Sequence, residues 1–333
     1  MSEPSLDVVG VGNALVDVLV HSTYDFIDAH ELHHGTAEMV EYDRSHTLYD
    51  DMPPGQEVSG GSAANTMAGL ASFGSHAAYI GRVRDDQLGE VFVHDLRSLG
   101  VRFDVPPATD GPATGRCLIM VTPDAQRTMV TYLGASSHLG PDAVDADVVG
   151  DAHVTYLEGY LWDQPPAKEA IRLAAQSARA AGRRVAFTTS DPFCVDRHRD
   201  EFRALLEGDV DILFANEIEI CSLYQVDSFE EALPLVRGHC EIAALTRSEL
   251  GSVIVAGDEE PILVDAAHAR EVVDSTGAGD QYAAGFLHGL THGYDLETCG
   301  RLASIAAAEV ISHLGARPEV SLAELAKEQL DPA

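Results

Sequence analysis

The run Asp274-Ser-Thr-Gly-Ala-Gly-Asp280 passes directly into a helix-forming segment. Three small residues at a helix start leave consecutive backbone N–H groups open, and the helix dipole adds partial positive charge, so an anion can be held without a cationic side chain. A carboxylate at the end of such a loop is unfavourable beside a bound phosphate unless it has chemical work to do. Asp280 is placed to take a proton from a hydroxyl attacking that phosphate. The plainer alternative is a glycine-rich helix start with Asp280 capping the first turn. This stretch alone leaves both readings open.

A second group is Ser59-Gly-Gly-Ser-Ala-Ala-Asn65. Gly60 and Gly61 permit backbone angles denied to other residues, which suits a hinge and close approach to a ligand, and Asn65 offers a donor and an acceptor one helical turn in. Asn13 and Asp17, where a strand ends, form another donor–acceptor pair suited to vicinal hydroxyls. Taken singly, each is also an ordinary turn or cap residue. Other patterns lead nowhere. Neither Lys168 nor Lys327 follows a Walker A glycine pattern, and Gly10-Val-Gly12 lacks the third glycine of a dinucleotide loop. His198-Arg199-Asp200 spells a protein-kinase triplet without its Asn or its Gly-rich loop. His288 and His292 share a helix face without a third metal ligand and are expected at the surface.

The elements that must position these groups fall into two kinds. Asp7–Val11 and Val16–Val20 are strand-like, and alternation returns at Thr36–Val40, Cys117–Val121 and Thr128–Leu133, the last two joined by a Thr-Pro-Asp-Ala turn (122–125). The lid strands among these predict a small, separate antiparallel sheet. Helix-like runs cover Ser62–Phe73, stopped by Gly74, and Gln87–Leu99. From Val154 onward strands (154–157, 185–189, 212–215, 242–246, 252–256) alternate with helices (167–181, 217–224, 229–236), which implies βαβ units and a mainly parallel sheet. Two helix-like segments dense in Ala, Leu and Gly, 277–293 and 295–314, close the large domain. The expected organisation is one large α/β body (1–12, 47–104 and 136–333) with a small β lid made from 13–46 and 105–135; a mid-chain split into two domains is the alternative.

Composition narrows the class. The chain has 333 residues, 54 acidic against 21 basic, and a net charge of −33. It shows no basic run of the kind that tracks nucleic-acid phosphates or anionic membranes, which excludes those partners. With lysine only at 168 and 327 and arginine at the other 19 basic positions, the balance suits solubility at high salt, or simply an acidic protein of ordinary surroundings. Cys117, Cys194, Cys221, Cys240 and Cys299 are odd in number and contain no C-x-x-C pair, so buried thiols in a reducing compartment are expected. The first residues carry no basic leader and no stretch reaches the ~20 apolar residues of a membrane span, so the expectation is a cytoplasmic protein, monomeric or homodimeric.

Taken together these residues resemble the ribokinase-like (PfkB) carbohydrate kinase family over essentially the full length. The two signatures stand as Gly-Gly-Ser-Ala-Ala-Asn-Thr (60–66), continuing to Asp-Gln-Leu-Gly89, and Asp-Ser-Thr-Gly-Ala-Gly-Asp (274–280), continuing to Ala-Ala-Gly-Phe-Leu287. Gly-Asn-Ala-Leu-Val-Asp (12–17), Gln-Arg-Thr (126–128) and Tyr-Leu-Glu-Gly-Tyr (156–160) look most like adenosine kinases and their bacterial sugar-kinase relatives.

The resemblance implies a ribokinase-like α/β fold and ATP-dependent phosphorylation of a primary hydroxyl, the 5′-hydroxyl of adenosine first of all. A free sugar (ribose, fructose or a keto-deoxy sugar acid) is the alternative acceptor, and a non-catalytic nucleotide sensor the alternative from another class. By the same likeness Asp280 is the base, the amides of Gly277, Ala278 and Gly279 form the anion hole, and Arg127 reaches the transferred phosphate. Asn13, Asp17, Gly60, Gly61 and Asn65 would bind the acceptor, and Asn216, Glu219, Thr246 and Gly251 the ATP. Glu219 would act on Mg2+ through water, and Asp274 and Thr276 would surround K+. An amide and a carboxylate at a strand end do suit Mg2+. Asn216 and Glu219 are also correctly spaced for a helix capping box. Ser275 stands where many relatives carry Thr and keeps the hydroxyl.

Overall fold

The computed structural model describes residues 3–124 and 126–330. Ala125, the last residue of the expected turn, lies outside the described residues, as do the first two and last three residues of the large body's segments. In chain order the strands are β1 (Leu6–Val11), β2 (Leu15–His21), β3 (Ala37–Met39), β4 (Gln56–Gly60), β5 (Ala77–Ile80), β6 (Gly115–Val121) and β7 (Arg127–Tyr132), followed by β8 (Ala152–Glu158), β9 (Arg184–Thr188), β10 (Ile212–Asn216), β11 (Ile242–Thr246), β12 (Ser252–Ala256) and β13 (Ile262–Val264).

Eight of them form one sheet in the order β13-β12-β11-β10-β9-β8-β1-β5, parallel from β11 to β5 and antiparallel at β12 and β13. Its residues alternate between two apolar layers. Val8, Val154, Ala186, Ile212, Ala244 and Ile254 face one layer, while Val9, Leu157, Val185, Leu213, Leu245 and Val253 face the other. A parallel sheet buried on both faces needs such near-continuous apolar strands, which is why the strand–helix alternation was legible. The α/β expectation is met.

The second sheet has five strands in the order β3-β7-β6-β2-β4. It is not the antiparallel sheet expected: β2 pairs parallel with β6, and β3 parallel with β7. Hairpin geometry constrains only strands joined by a short connection, and among the described strands of this sheet those are β6 and β7. The β2 and β6 strands meet after a long excursion through the large body, so their direction is free. The edge strand β4 comes from within the 47–104 segment; its Gln-Glu-Val-Ser-Gly run has little apolar alternation to reveal it.

The Ser62–Phe73 helix starts where β4 ends, and it lies against the helix Ala278–Thr291. Close approach depends on small residues. A Cβ on Gly69 would stand 2.1 Å from the Gln281 side chain, and one on Gly285 2.6 Å from the carbonyl of Leu302 in the helix Leu296–Val310. His288 is less exposed than expected, stacked on Phe73 and hydrogen-bonded to Ser75 at 2.8 Å. Among the described residues no helix is long and apolar enough to cross a membrane.

Candidate active site

Open parallel sheets bind ligands beyond the carboxyl ends of their strands. Here β1 runs out into Gly12 and Asn13, β8 ends at Glu158, and the Ser62–Phe73 and Ala278–Thr291 helices begin nearby. Gly61 precedes the first of these helices with φ 98°, and Gly277 the second with φ 79°. Both positions favour glycine, since a left-handed backbone strains any residue with a Cβ. A Cβ on Gly277 would also stand 2.7 Å from Ala316.

Asp280 lies in the first turn of its helix, pointing at the start of the other. Ser62 Oγ donates to its Oδ1 at 2.6 Å, and Asn65 Nδ2 donates to its Oδ2 at 3.2 Å. The two glycine motifs of the sequence thus converge on one carboxylate. Burial pushes the Asp280 carboxyl up to about 6, against the pull of those two donors. Such a group is ionised at neutral pH yet basic enough to accept a proton. Of the three amides expected to face an anion, that of Ala278 closes a turn onto Ser275 O at 3.2 Å.

Asp17 on β2 lies over Gly60, whose missing Cβ would stand 2.3 Å from the carboxylate. Burial raises the Asp17 carboxyl to about 6; Arg317 opposes the shift, Asp280 adds to it, and Arg127 opposes it. Asn13 is only 3% exposed. Its amide donates to Glu158 Oε1 at 2.7 Å and accepts from Ser136 at 3.0 Å. It therefore braces the turn after β1 from below. Glu158 also accepts from the Ala63 N–H at 2.9 Å, tying the helix start to the same point.

Arg127 reaches from the start of β7 to the anion loop, where it pairs with Asp274 and donates to Thr276 Oγ1 at 2.9 Å. Asp274 also accepts from the Thr276 and Gly315 N–H groups. The guanidinium occupies the oxygens expected around K+, so these residues do not fit a second cation while Arg127 is there. Asn216 and Glu219 form the capping box: Asn216 accepts from the Ile218 and Glu219 N–H groups, while Glu219 accepts from Asn216 N and Nδ2 and from Thr189 Oγ1. Glu219 is 6% exposed with both oxygens engaged, a poor fit to Mg2+-bound water. Thr246 ends β11, and Gly251 makes the turn into β12 at φ 81°. Among the described residues no cluster of His, Cys, Asp or Glu could hold a metal.

Three residues were missed in the sequence. Ser62 stood inside a motif without being singled out, Glu158 inside Tyr-Leu-Glu-Gly-Tyr, and Arg317 in no pattern at all. Arg317 donates to Asn65 Oδ1 at 3.3 Å and to Asp95 Oδ2 at 2.8 Å.

Burial raises the carboxyls of Asp17 and Asp280 to about 6 and that of Glu158 to about 7. Their native pKa values lie above the ordinary ones, so the folded state holds more protons. The stability they contribute is complete at acid pH and is lost as pH rises through these values. His288, which burial holds down at about 4, works in the opposite sense, but only up to its ordinary value of 6.5. The melting temperature of the ligand-free protein should therefore fall from about pH 6.5 to about pH 8. A rise over that range in a thermal melt series would contradict this account.

The pfkB family carbohydrate kinase profile matches residues 38–322. A crystal structure described as a probable sugar kinase from Rhizobium etli is 50% identical, with TM-score 0.91, covering 98% of this chain and 99% of that one. The adenosine kinase of Sinorhizobium meliloti is also 50% identical, with TM-score 0.90, covering 97% of this chain and 99% of that one. The adenosine kinase of Saccharomyces cerevisiae is 28% identical over 331 residues, covering 92% of this chain and 95% of its own length. With its two glycine motifs meeting at one carboxylate and these relatives matching nearly end to end, the chain belongs to the pfkB family of carbohydrate kinases, phosphotransferases that act on hydroxyl groups.

Proposed function

We propose that this kinase transfers the γ-phosphoryl group of ATP to the 5′-hydroxyl of adenosine, giving AMP and ADP. The observation that carries the reading is the Asp280 carboxylate, half-buried between Ser62 and Asn65 in the first turn of a helix whose N-terminus faces the same space. Asp280 takes the 5′-hydroxyl proton as the oxygen–phosphorus bond forms and the bond to ADP breaks. The Gly277–Gly279 backbone and the helix dipole take the charge that develops on the phosphoryl oxygens. The helix start fits a polyphosphate, since a Cβ on Gly279 would meet open space and the helix dipole favours an anion there.

Asp17 and Asn65 hold the ribose hydroxyls over Gly60 and Gly61, with Asn13 bracing them. Arg127, already beside the anion loop, neutralises the transferred group. Thr246 and Gly251 border the ATP. Mg2+ travels with ATP and spreads its charge when bound; the Asn216–Glu219 pair serves as a helix cap, and no step is assigned to K+. Adenosine is favoured by the 50% identity to an adenosine kinase over nearly the full length. The equally similar probable sugar kinase supports the second reading, a free-sugar acceptor.

The test is ADP formation from Mg2+ and ATP across a panel of nucleosides and free sugars. Highest kcat/KM with adenosine is the expected result. Turnover with a sugar alone would replace the substrate, and no turnover with any acceptor would favour a nucleotide sensor.

A further inference from the structure

Arg317 follows the Leu296–Val310 helix and lies far in sequence from both glycine motifs, yet its guanidinium reaches the centre of the site. Its side chain is 16% exposed. One nitrogen donates to Asp95 Oδ2 at 2.8 Å and another to Asn65 Oδ1 at 3.3 Å, while the buried Nη2 has no hydrogen-bond partner among the described residues. Asp95 is itself fixed, accepting from Ser59 N at 2.8 Å and Ser59 Oγ at 2.6 Å, immediately before Gly60.

The chemistry of an amide makes this arrangement directional. Asn65 has one accepting end and one donating end. With a guanidinium on one side and the Asp280 carboxylate on the other, a single orientation satisfies both, Oδ1 to Arg317 and Nδ2 to Asp280. The flipped amide would set oxygen against carboxylate and N–H against N–H.

We propose that Arg317 is a positioning residue for the phosphoryl-transfer site, anchored by Asp95 and locking the Asn65 amide with its donor on Asp280. The proposal rests on the reading of Asp280 as base. Through this chain Arg317 keeps the Asp280 carboxylate ionised and aimed, and it touches neither reacting atom. It also supplies the leading positive charge near Asp17. The other ionisable groups whose charges couple to Asp280 are Asp17 on β2, Tyr79 on β5, Tyr156 and Glu158 on β8, and Tyr160 just beyond. Of these, Asp17 and Tyr79 also feel the Arg317 charge, so Arg317→Met raises the Asp17 carboxyl as well; Arg317→Lys, which keeps the charge, separates that effect from the loss of the fork.

The test reads the Asp280 titration directly, by 13C NMR of labelled aspartate carboxyls, the resonance being identified by its loss in Asp280→Asn. In Arg317→Met the Asn65 amide is free to turn and one donor to the carboxylate is lost, so the midpoint should rise by about one pH unit. The acid limb of kcat/KM, measured with ATP and the best acceptor of the panel, should move with it. The double variant Arg317→Met/Asp95→Asn removes the carboxylate left without its partner, guards against misfolding, and should show the same shift. Arg317→Lys keeps the charge but not the fork, and should leave the midpoint raised. An unmoved midpoint in a folded variant, or full restoration by lysine, would overturn the proposal. A midpoint that moves while the acid limb stays would support the Arg317 relay and refute Asp280 as the base.

Discussion

Asp280→Asn is expected to lower turnover by about two to four orders of magnitude, the usual contribution of a general base, while acceptor affinity stays close to wild type. An amide is isosteric with the carboxylate, and its oxygen can still accept from Ser62, which donates at 2.6 Å in the native protein. What it cannot do is receive a proton from an attacking hydroxyl. Steady-state kinetics with calorimetric binding of the acceptor separates the two effects. In the wild type the same residue should give kcat/KM an acid limb near its free-enzyme midpoint of about 6. A variant that keeps most of its turnover would remove Asp280 from this role.

Gly60→Ala should cut kcat/KM by about 100-fold, on the scale of a reactant misplaced by about an ångström, mostly through KM for the acceptor. The backbone at Gly60 is not left-handed, so alanine is sterically allowed there, but its Cβ would stand 2.3 Å from the Asp17 carboxylate. Asp17 must then move, and with it the hydroxyl it is proposed to hold. The melting temperature should change little. Gly61 offers a contrast: at φ 98° a side chain is strained, and its Cβ would stand 2.1 Å from the Asn13 carbonyl. Gly61→Ala should therefore lose stability and activity together. Unchanged kinetics in Gly60→Ala would show that Asp17 takes no part in holding the acceptor.

Much of this protein is legible in its sequence. The glycine positions at 61, 74 and 277 announced helix boundaries because their function there is local, a matter of backbone angle. The apolar runs of the large sheet announced themselves because a strand buried on both faces leaves little choice of residue. By contrast the Gly-ended β4 gives a weak signal, and the helix Pro192–Gly208, with charges along much of its length, is not among the helices the sequence predicts. The spacing of Asn216 and Glu219 fitted both a capping box and a metal site. Only the burial of Glu219, with donors on both of its oxygens, separates the two.

The sequence by itself thus determined the α/β class, the two glycine motifs and Asp280, since each is written in residues close together along the chain. The tertiary structure alone decided what surrounds that carboxylate. Ser62 and Asp280 are 218 residues apart, and Asn65 and Arg317 252. It also decided that Arg127 rests on Asp274, that Asn13 faces Glu158, and that the small sheet is mixed. Hydrogen bonds at such separations leave no periodicity or spacing to read; they exist because two helix starts and the ends of parallel strands are packed into one place.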